Sequence, residues 1–392
     1  MDPTNSGEHQ RNAIDAEIQA LKRRRNTLAP ISSLPTEVTT TIFFFFRVPV
    51  PSSSDSLFTR VQKPESDSLA WLRIAHVCHH WREIVLNQPL FWSHVNFNSF
   101  SSVGMAEILS RAKSAPLHLR ANVTYDCQWD DARFSAFQKE LHSRVSRIRH
   151  LSISVDYVRL RDALEGLVSL APTLEYLSLS RWDYPNMLET GQRGFVPDTL
   201  FAVAAPKLSY LELWYCDISW KSSLLIGLRY LLIHSPSANA RPSLSVWLDA
   251  LEKMPQLETL TLHSASPIAS GDFALQSDVK RTVTLPSLAK LEMSASVRDC
   301  GLALAHLALP ALTLLSLTAR SLHVENSDVQ EILPCVVRGH TYNSYATACR
   351  MGCFPPIPSQ VRGHADVRLV LAMVVSGRGE KGTDEIMDMG SG

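Results

Sequence analysis

Pro172-Thr173-Leu174-Glu175-Tyr176-Leu177-Ser178-Leu179, then Pro206-Lys207-Leu208-Ser209-Tyr210-Leu211-Glu212-Leu213 and Pro255-Gln256-Leu257-Glu258-Thr259-Leu260-Thr261-Leu262, repeat one unit, Pro-x-Leu-x-x-Leu-x-Leu. The unit returns as Pro286/Leu288/Leu291/Met293 and as Pro310/Leu312/Leu315/Leu317, with weaker copies at Ile148/Leu151/Ile153 and Leu228/Leu231/Ile233. The central positions 151, 177, 211, 231, 260, 291 and 315 are separated by 26, 34, 20, 29, 31 and 24 residues. A short unit returning near one period is the mark of a stacked repeat array. In x-Leu-x-Leu-x, alternate side chains of a short strand point inward, and the earlier Leu covers the turn into it. One unit cannot bury its apolar edge alone. Stacked copies form a parallel sheet with a continuous core, and the intervening segments return along the outside. Leu244 to Met254 reads as one such return helix, and Cys216, three residues after Leu213, as a structural thiol. The fold class expected is α plus an α/β solenoid: helices first, then an irregular repeat array with a parallel sheet.

Upstream of the repeats the spacing is helical. Ile14, Ile18, Leu21 and Leu28 form a short heptad seam in which Arg25 takes an apolar position. Lys22-Arg23-Arg24-Arg25 is read as a solvated helix face ahead of a nuclear address or basic patch. Pro30 stops this helix and Pro35 opens the next, with Glu37 in its first turn, where a carboxylate complements the dipole. Val38, Ile42, Phe43 and Phe46 then mark an apolar stripe. A Pro- and Ser-rich stretch, Pro49 to Ser68, interrupts it, and helical periodicity resumes from Leu69 to Leu86 before the aromatic pair Phe91-Trp92. The expected divisions are a disordered 1–10, a heptad helix over 11–30 and a helical domain over 31–95 with a loop insertion at 47–68. The repeats follow over 96–320, and 321–392 is a degenerate last repeat or a disordered tail.

Composition narrows the function. Lys plus Arg and Asp plus Glu each number 38, so no basic field supports nucleic-acid binding. The seven cysteines are odd in number and lack the paired spacing of a disulfide framework, which fits a reducing compartment. The first residues lack the apolar stretch of a signal peptide, and the apolar run Leu369 to Val375 is too short to span a bilayer. A cytoplasmic or nuclear protein, off the membrane, is expected.

Three pieces in order, Ile31-Ser32-Ser33-Leu34-Pro35-Thr36-Glu37-Val38, Val77-Cys78-His79-His80-Trp81-Arg82-Glu83-Ile84-Val85 and Pro89-Leu90-Phe91-Trp92, resemble the F-box. With the heptad helix before them and leucine-rich repeats after, the chain resembles the F-box-like proteins expanded in mushroom-forming fungi. The resemblance implies a three-helix domain that docks on the Skp-type adaptor of a cullin–RING ubiquitin ligase, while the repeats hold a protein substrate. By motif, Leu34, Pro35, Val38, Ile42, Val77, Cys78 and Trp81 would form or support the adaptor-facing surface. Thr39-Thr40-Thr41 and the insertion from Arg47 to Ser68 depart from the pattern. From the residues alone, Val38, Ile42 and Phe43 read as helical core ahead of a docking ridge; with the resemblance the two readings are even, and Trp81 and Trp92 read as packing residues. Phe43–Phe46 is apolar all round a helix.

In the repeats, the side chain before the central Leu and those flanking the final Leu are expected on the concave sheet face. That set holds Tyr176, Tyr210 and Tyr230, with Trp214, Tyr215, His234 and His263 nearby, as candidate substrate-binding residues. Tyr and Trp give large contact area at small entropic cost; the alternative is a tyrosine ladder stacked on itself. No catalytic constellation, metal set or cofactor motif emerges. Cys78-His79-His80 places Cys78 on the apolar face and the histidines elsewhere, Cys349, Cys353 and His340 lack a second ligand pair, and the Gly377–Gly382 run lacks the phosphate-loop frame. The expected function is a non-enzymatic substrate receptor; the alternative is a repeat scaffold whose helical segment only caps the array.

Overall fold

The computed structural model describes residues 3–46, 70–122, 129–181, 194–203, 205–268, 281–321 and 367–374. The insertion at 47–68 and most of 321–392 lie outside the described residues. By contacts the chain divides into two units, Met1–Ile153 and Ser154–Gly392.

In the first unit, α1 spans Pro3–Thr27. It begins ahead of the expected heptad segment, so residues 3–10 are helical where disorder was expected. Arg24 and Arg25 occupy its last turn, where cations complement the negative end of the dipole. Pro30 opens a 3-10 turn (Pro30–Ser33), and Pro35 is the cap residue of α2 (Thr36–Phe44). The apolar pattern from Leu69 to Leu86 is not one helix. A 3-10 segment (Ala70–His76) leads to a break at which Cys78 is extended, φ −157°, and α3 (His79–Asn87) starts afresh. Arg82 spans the break by donating from Nε to the Ala75 carbonyl at 3.1 Å.

The turn Pro89–Trp92 then drives two aromatic rings inward. Phe91 stacks on Phe44 at 4.4 Å, Trp71 stands edge-on to Trp92 at 5.1 Å, and the Trp92 indole N–H donates to the Val85 carbonyl at 3.0 Å. From here strands and helices alternate: β1 (His94–Asn96), α4 (Ser102–Arg111), β2 (Leu117–Asn122), α5 (Asp131–Arg144) and β3 (Ile148–Val155). Ser101 and Asp130 cap α4 and α5 by accepting from the Gly104 and Arg133 N–H groups at 3.2 and 2.7 Å. β1, β2 and β3 lie side by side, and β1 runs parallel to β2 with His94 opposite His118.

The second unit contains α6 (Tyr157–Glu165), β4 (Tyr176–Arg181), β5 (Gly194–Phe195), β6 (Tyr210–Trp214), β7 (Cys216–Asp217), β8 (Tyr230–His234) and α7 (Leu244–Glu252). It continues with β9 (Thr259–His263), β10 (Val283–Thr284), β11 (Lys290–Ala295), α8 (Val297–Ala305), β12 (Leu307–Ala308), β13 (Leu314–Ser321) and β14 (Val367–Val374). The main sheet runs β4-β6-β8-β9-β11-β13-β14 and is parallel as far as β13. β14, drawn from the apolar run near the C-terminus, pairs antiparallel with β13, Leu314 opposite Val374.

Register lines the leucines up. Leu177, Leu211, Leu231, Leu260, Leu291 and Leu315 share one row across six strands, and all are buried. Each buried leucine stabilises the fold by about 1.5–3 kcal/mol relative to exposure. The return helix α7 buries Trp247, Leu248 and Leu251. The architecture is an α/β solenoid-like array, consistent with leucine-rich-type repeats.

Two backbone ladders fix the repeat. At the strand entry one carbonyl takes two N–H groups from the next repeat: Glu175 from Ser209 and Tyr210 at 3.0 and 3.1 Å, Ser209 from Arg229 and Tyr230, both at 2.9 Å, and Arg229 from Glu258 and Thr259 at 2.8 and 3.1 Å. At the exit Tyr215, Ser235 and Ser264 adopt left-handed φ of 54°, 47° and 55°. Their N–H groups donate to the carbonyls of His234, His263 and Ser294 at 2.9, 2.8 and 2.6 Å. The cross-repeat hydrogen bonds hold a conformation that non-glycine residues ordinarily avoid.

Candidate functional site

Two surfaces hold the residues singled out from the sequence, one in each unit. In the first, α2 turns Thr39, Thr40 and Phe43 inward, leaves Ile42 and Phe44 half-buried and holds Val38 outside. Val38 is 43% exposed and Val77 60%. Leu34, Ile42, Cys78 and Trp81 are half-buried, and Pro35 is exposed. Thr39 returns its hydroxyl to the Pro35 carbonyl at 3.2 Å, which lets it sit inward without an orphaned hydroxyl, and the exposed Thr41 does the same to the Glu37 carbonyl at 2.9 Å. α2 meets α3 where the Phe43 and Trp81 rings tilt together at 4.8 Å.

Three expectations change here. Phe43 belongs to the core, unlike Val38 and Ile42. Cys78 does not lie on the apolar face of a continuous helix; it is the residue before α3, with an extended backbone. The Phe43–Phe46 run splits, with Phe43 buried, Phe44 stacked on Phe91, and Phe45 and Phe46 outside.

In the second unit the face opposite the leucine row carries aligned polar and aromatic side chains. Tyr176, Tyr210 and Tyr230 lie in register. Their rings stack at 4.5 Å and 3.8 Å, with interplanar angles of 20° and 6°. Two residues further along, Glu212 is 3% exposed. Its carboxylate accepts from the hydroxyls of Tyr176 at 3.1 Å, Ser178 at 3.1 Å and Tyr210 at 2.8 Å. Burial, reinforced by the Glu212 charge, pushes the Tyr210 phenol far above its ordinary range, so it stays a neutral donor.

At the far end of the strands Trp214 stacks on His234 at 4.4 Å, and His234 lies against His263 at 5.1 Å. His263 faces Glu292 at 3.6 Å, and Lys290 approaches the same carboxylate at 3.4 Å. Tyr215, in its left-handed corner, stands edge-on to His234 at 5.4 Å. All seven candidate substrate-binding residues therefore fall on one stretch of sheet and its exit corner. The tyrosines do stack upon one another, as the alternative reading held. A stacked ring is already ordered, so it presents contact area with little further entropy to lose.

Sequence reasoning missed Ser178, Glu212 and Glu292, which occupy the middle position between two core-facing residues of their strands. It also missed a histidine column in the first unit, where His94 stacks on His118 at 3.9 Å and His118 on His150 at 4.2 Å. Each of these histidines precedes the central apolar residue of its strand (Val95, Leu119, Leu151), the same site as the tyrosines, and that position was the available signal. Among the described residues no group of three or more His, Cys, Asp or Glu is placed to hold a metal ion. Nor is any described helix long and apolar enough to cross a membrane.

Cys216 and Cys300 are buried, and burial pushes each thiol up to about 12. Cys216 donates to the Trp214 carbonyl at 3.3 Å. Both thiols should resist iodoacetamide at neutral pH in the folded protein and react on unfolding, read peptide by peptide by mass spectrometry. Because their folded values are raised, their contribution to stability is complete below about pH 8.5, the unfolded thiol's range, and is lost as pH rises towards 12. Rapid native labelling of either would mean the core around it opens.

No family model, no curated protein and no solved structure matches the chain.

Proposed function

We propose that the protein is a non-enzymatic substrate receptor: residues 31–92 dock on a Skp-type adaptor of a cullin–RING ubiquitin ligase, and the repeat face of the second unit holds a protein substrate. It acts by proximity, bringing a bound protein to the ligase without chemistry of its own. The observation that carries this reading is the inverted helix α2. Thr39 and Thr40 face in, while Val38 and, from the neighbouring segment, Val77 stand exposed, with Ile42 and Trp81 half-buried beside them. A helix serving only its own core would bury those side chains and expose the threonines. The F-box resemblance at Leu34-Pro35, Val77-Cys78 and Trp81 says which partner such a surface suits. The stacked Tyr176, Tyr210 and Tyr230, and His234 resting on the buried Trp214, offer rigid aromatic anchors for the substrate, with tyrosine a residue type that dominates protein interfaces.

The test is affinity capture of a purified Skp-type adaptor by the full chain. Val38→Asp/Val77→Asp is expected to weaken capture by tenfold or more, about 1.4 kcal/mol in binding. The fold should be untouched, because exposed substitutions of this kind shift stability by only about 0.5 kcal/mol. A parent chain that fails to capture the adaptor, or a folded variant that captures it as well as the parent, overturns the reading and leaves the repeat scaffold.

A further inference from the structure

α1 is a 25-residue helix, and every residue from Gly7 to Arg25 is exposed. Its seam residues Ile14, Ile18 and Leu21 stand 52%, 42% and 59% open to solvent. A helix without tertiary packing is marginal in water, because most helical stability in proteins comes from an apolar stripe pressed against something else. Here the stripe exists, and among the described residues nothing covers it. The spacing of four and then three places Ile14, Ile18 and Leu21 at d, a and d of a heptad, with Arg25 at the next a.

Charge selects the occupant. Glu8, Asp15 and Glu17 make the first part of the helix acidic, with Arg11 the exception, while Lys22, Arg23, Arg24 and Arg25 make its end strongly basic. Two copies side by side in the same direction would set the basic ends together and Arg25 against its own counterpart. Reversed, each basic end lies along the acidic part of the other copy. In that register Ile18 packs on Leu21 of the second copy, and Ile14 packs on the aliphatic stem of its Arg25. Asp15 then faces Lys22 across one flank and Glu17 faces Arg24 across the other, and symmetry makes four attractive pairs. A helix whose two ends are oppositely charged is complementary to itself only when inverted.

We propose that α1 pairs with α1 of a second copy of this chain as an antiparallel two-helix coiled coil. This surface is independent of the adaptor and substrate readings. The seam is only two heptads long, so the dimer should form and dissociate over accessible concentrations.

Sedimentation of the full chain over roughly 1 to 100 µM, the range in which so small an interface titrates, should show concentration-dependent dimers. Ile18→Ser/Leu21→Ser should be monomeric throughout. Lys22→Glu/Arg24→Glu should associate at least tenfold more weakly, and so should Asp15→Lys/Glu17→Lys, whereas an equimolar mixture of these two variants should regain dimers. Orientation is read by oxidative cross-linking, scored above the parent chain. Ile14→Cys mixed with Arg25→Cys should link, and neither should link alone. A parent that stays monomeric at the highest concentration, or a seam variant that still dimerises, overturns the proposal. So does Arg25→Cys linking to itself, the mark of parallel helices.

Discussion

Replacing Leu211 with alanine is expected to lower the stability of the repeat array by about 2–5 kcal/mol, the range for a large apolar side chain removed from a close-packed core. Leu211 is fully buried and has a leucine in register on either side, Leu177 on β4 and Leu231 on β8. The cavity has little scope to collapse, since the entry and exit ladders hold the flanking strands in place. In a stacked array the loss also weakens coupling to both neighbours, because each repeat is stabilised mainly by the next. Leu170→Ala supplies the control. The chemistry is the same, but Leu170 is exposed, so the change should stay within about 0.5 kcal/mol. Urea unfolding with a constant m-value separates the two. Equal effects would mean that Leu211 does not sit in a shared packed layer.

That contrast explains what the sequence discloses and what it hides. The leucine period is legible because burial demands an apolar residue at the same place in every repeat, and the six-residue row from Leu177 to Leu315 is the result. The repeats upstream were harder to read. β1 presents Val95 where the others have Leu, and β2 presents Leu119 without the proline five residues earlier that marks the later units. The break before α3 left no trace, because Leu72, Ile74 and Ile84 fit a helical stripe whether or not Cys78 is helical, and neither glycine nor proline marks the spot. The left-handed corners were equally silent. Tyr215, Ser235 and Ser264 are not residues that favour positive φ, and a hydrogen bond from the next repeat imposes it on them. The tyrosine column was visible as a repeated position, and so was the proximity of Trp214, His234 and His263. The carboxylate among them was not, because Glu212 lies on the alternation of a strand where an outward polar residue is ordinary. Only the folded arrangement brings three hydroxyls onto it. On α2 the apolar stripe was legible, but which of its residues face the core depends on packing that spacing alone does not encode.

The Glu212 cluster carries the second large effect, and its sign pattern is diagnostic. Glu212→Ala removes the acceptor from three hydroxyls, of which Ser178 is buried and the two tyrosines half-buried, and should destabilise by about 1–3 kcal/mol. The reverse experiment should be worse. Tyr176→Phe/Ser178→Ala/Tyr210→Phe keeps every ring and nearly all the volume, but it strips these three hydroxyl donors from a buried carboxylate. A buried charge left without its partners destabilises by about 3–5 kcal/mol. Adding Glu212→Leu to that triple variant should then recover most of the loss, since replacing both sides of a buried polar contact with apolar groups of similar shape can be nearly neutral. Chemical denaturation of the parent, Glu212→Leu alone, the triple variant and the quadruple variant forms a cycle whose coupling energy belongs to the cluster alone. If Glu212 were an ordinary surface carboxylate, all three variants would fall within about 0.5 kcal/mol of the parent and the rescue would vanish. If the ordering holds, the stacked tyrosines rest on a fixed hydrogen-bonded base. The apolar quadruple variant then provides a folded protein with the rings present and the anchor gone, in which the contribution of ring order to partner binding can be measured separately from stability.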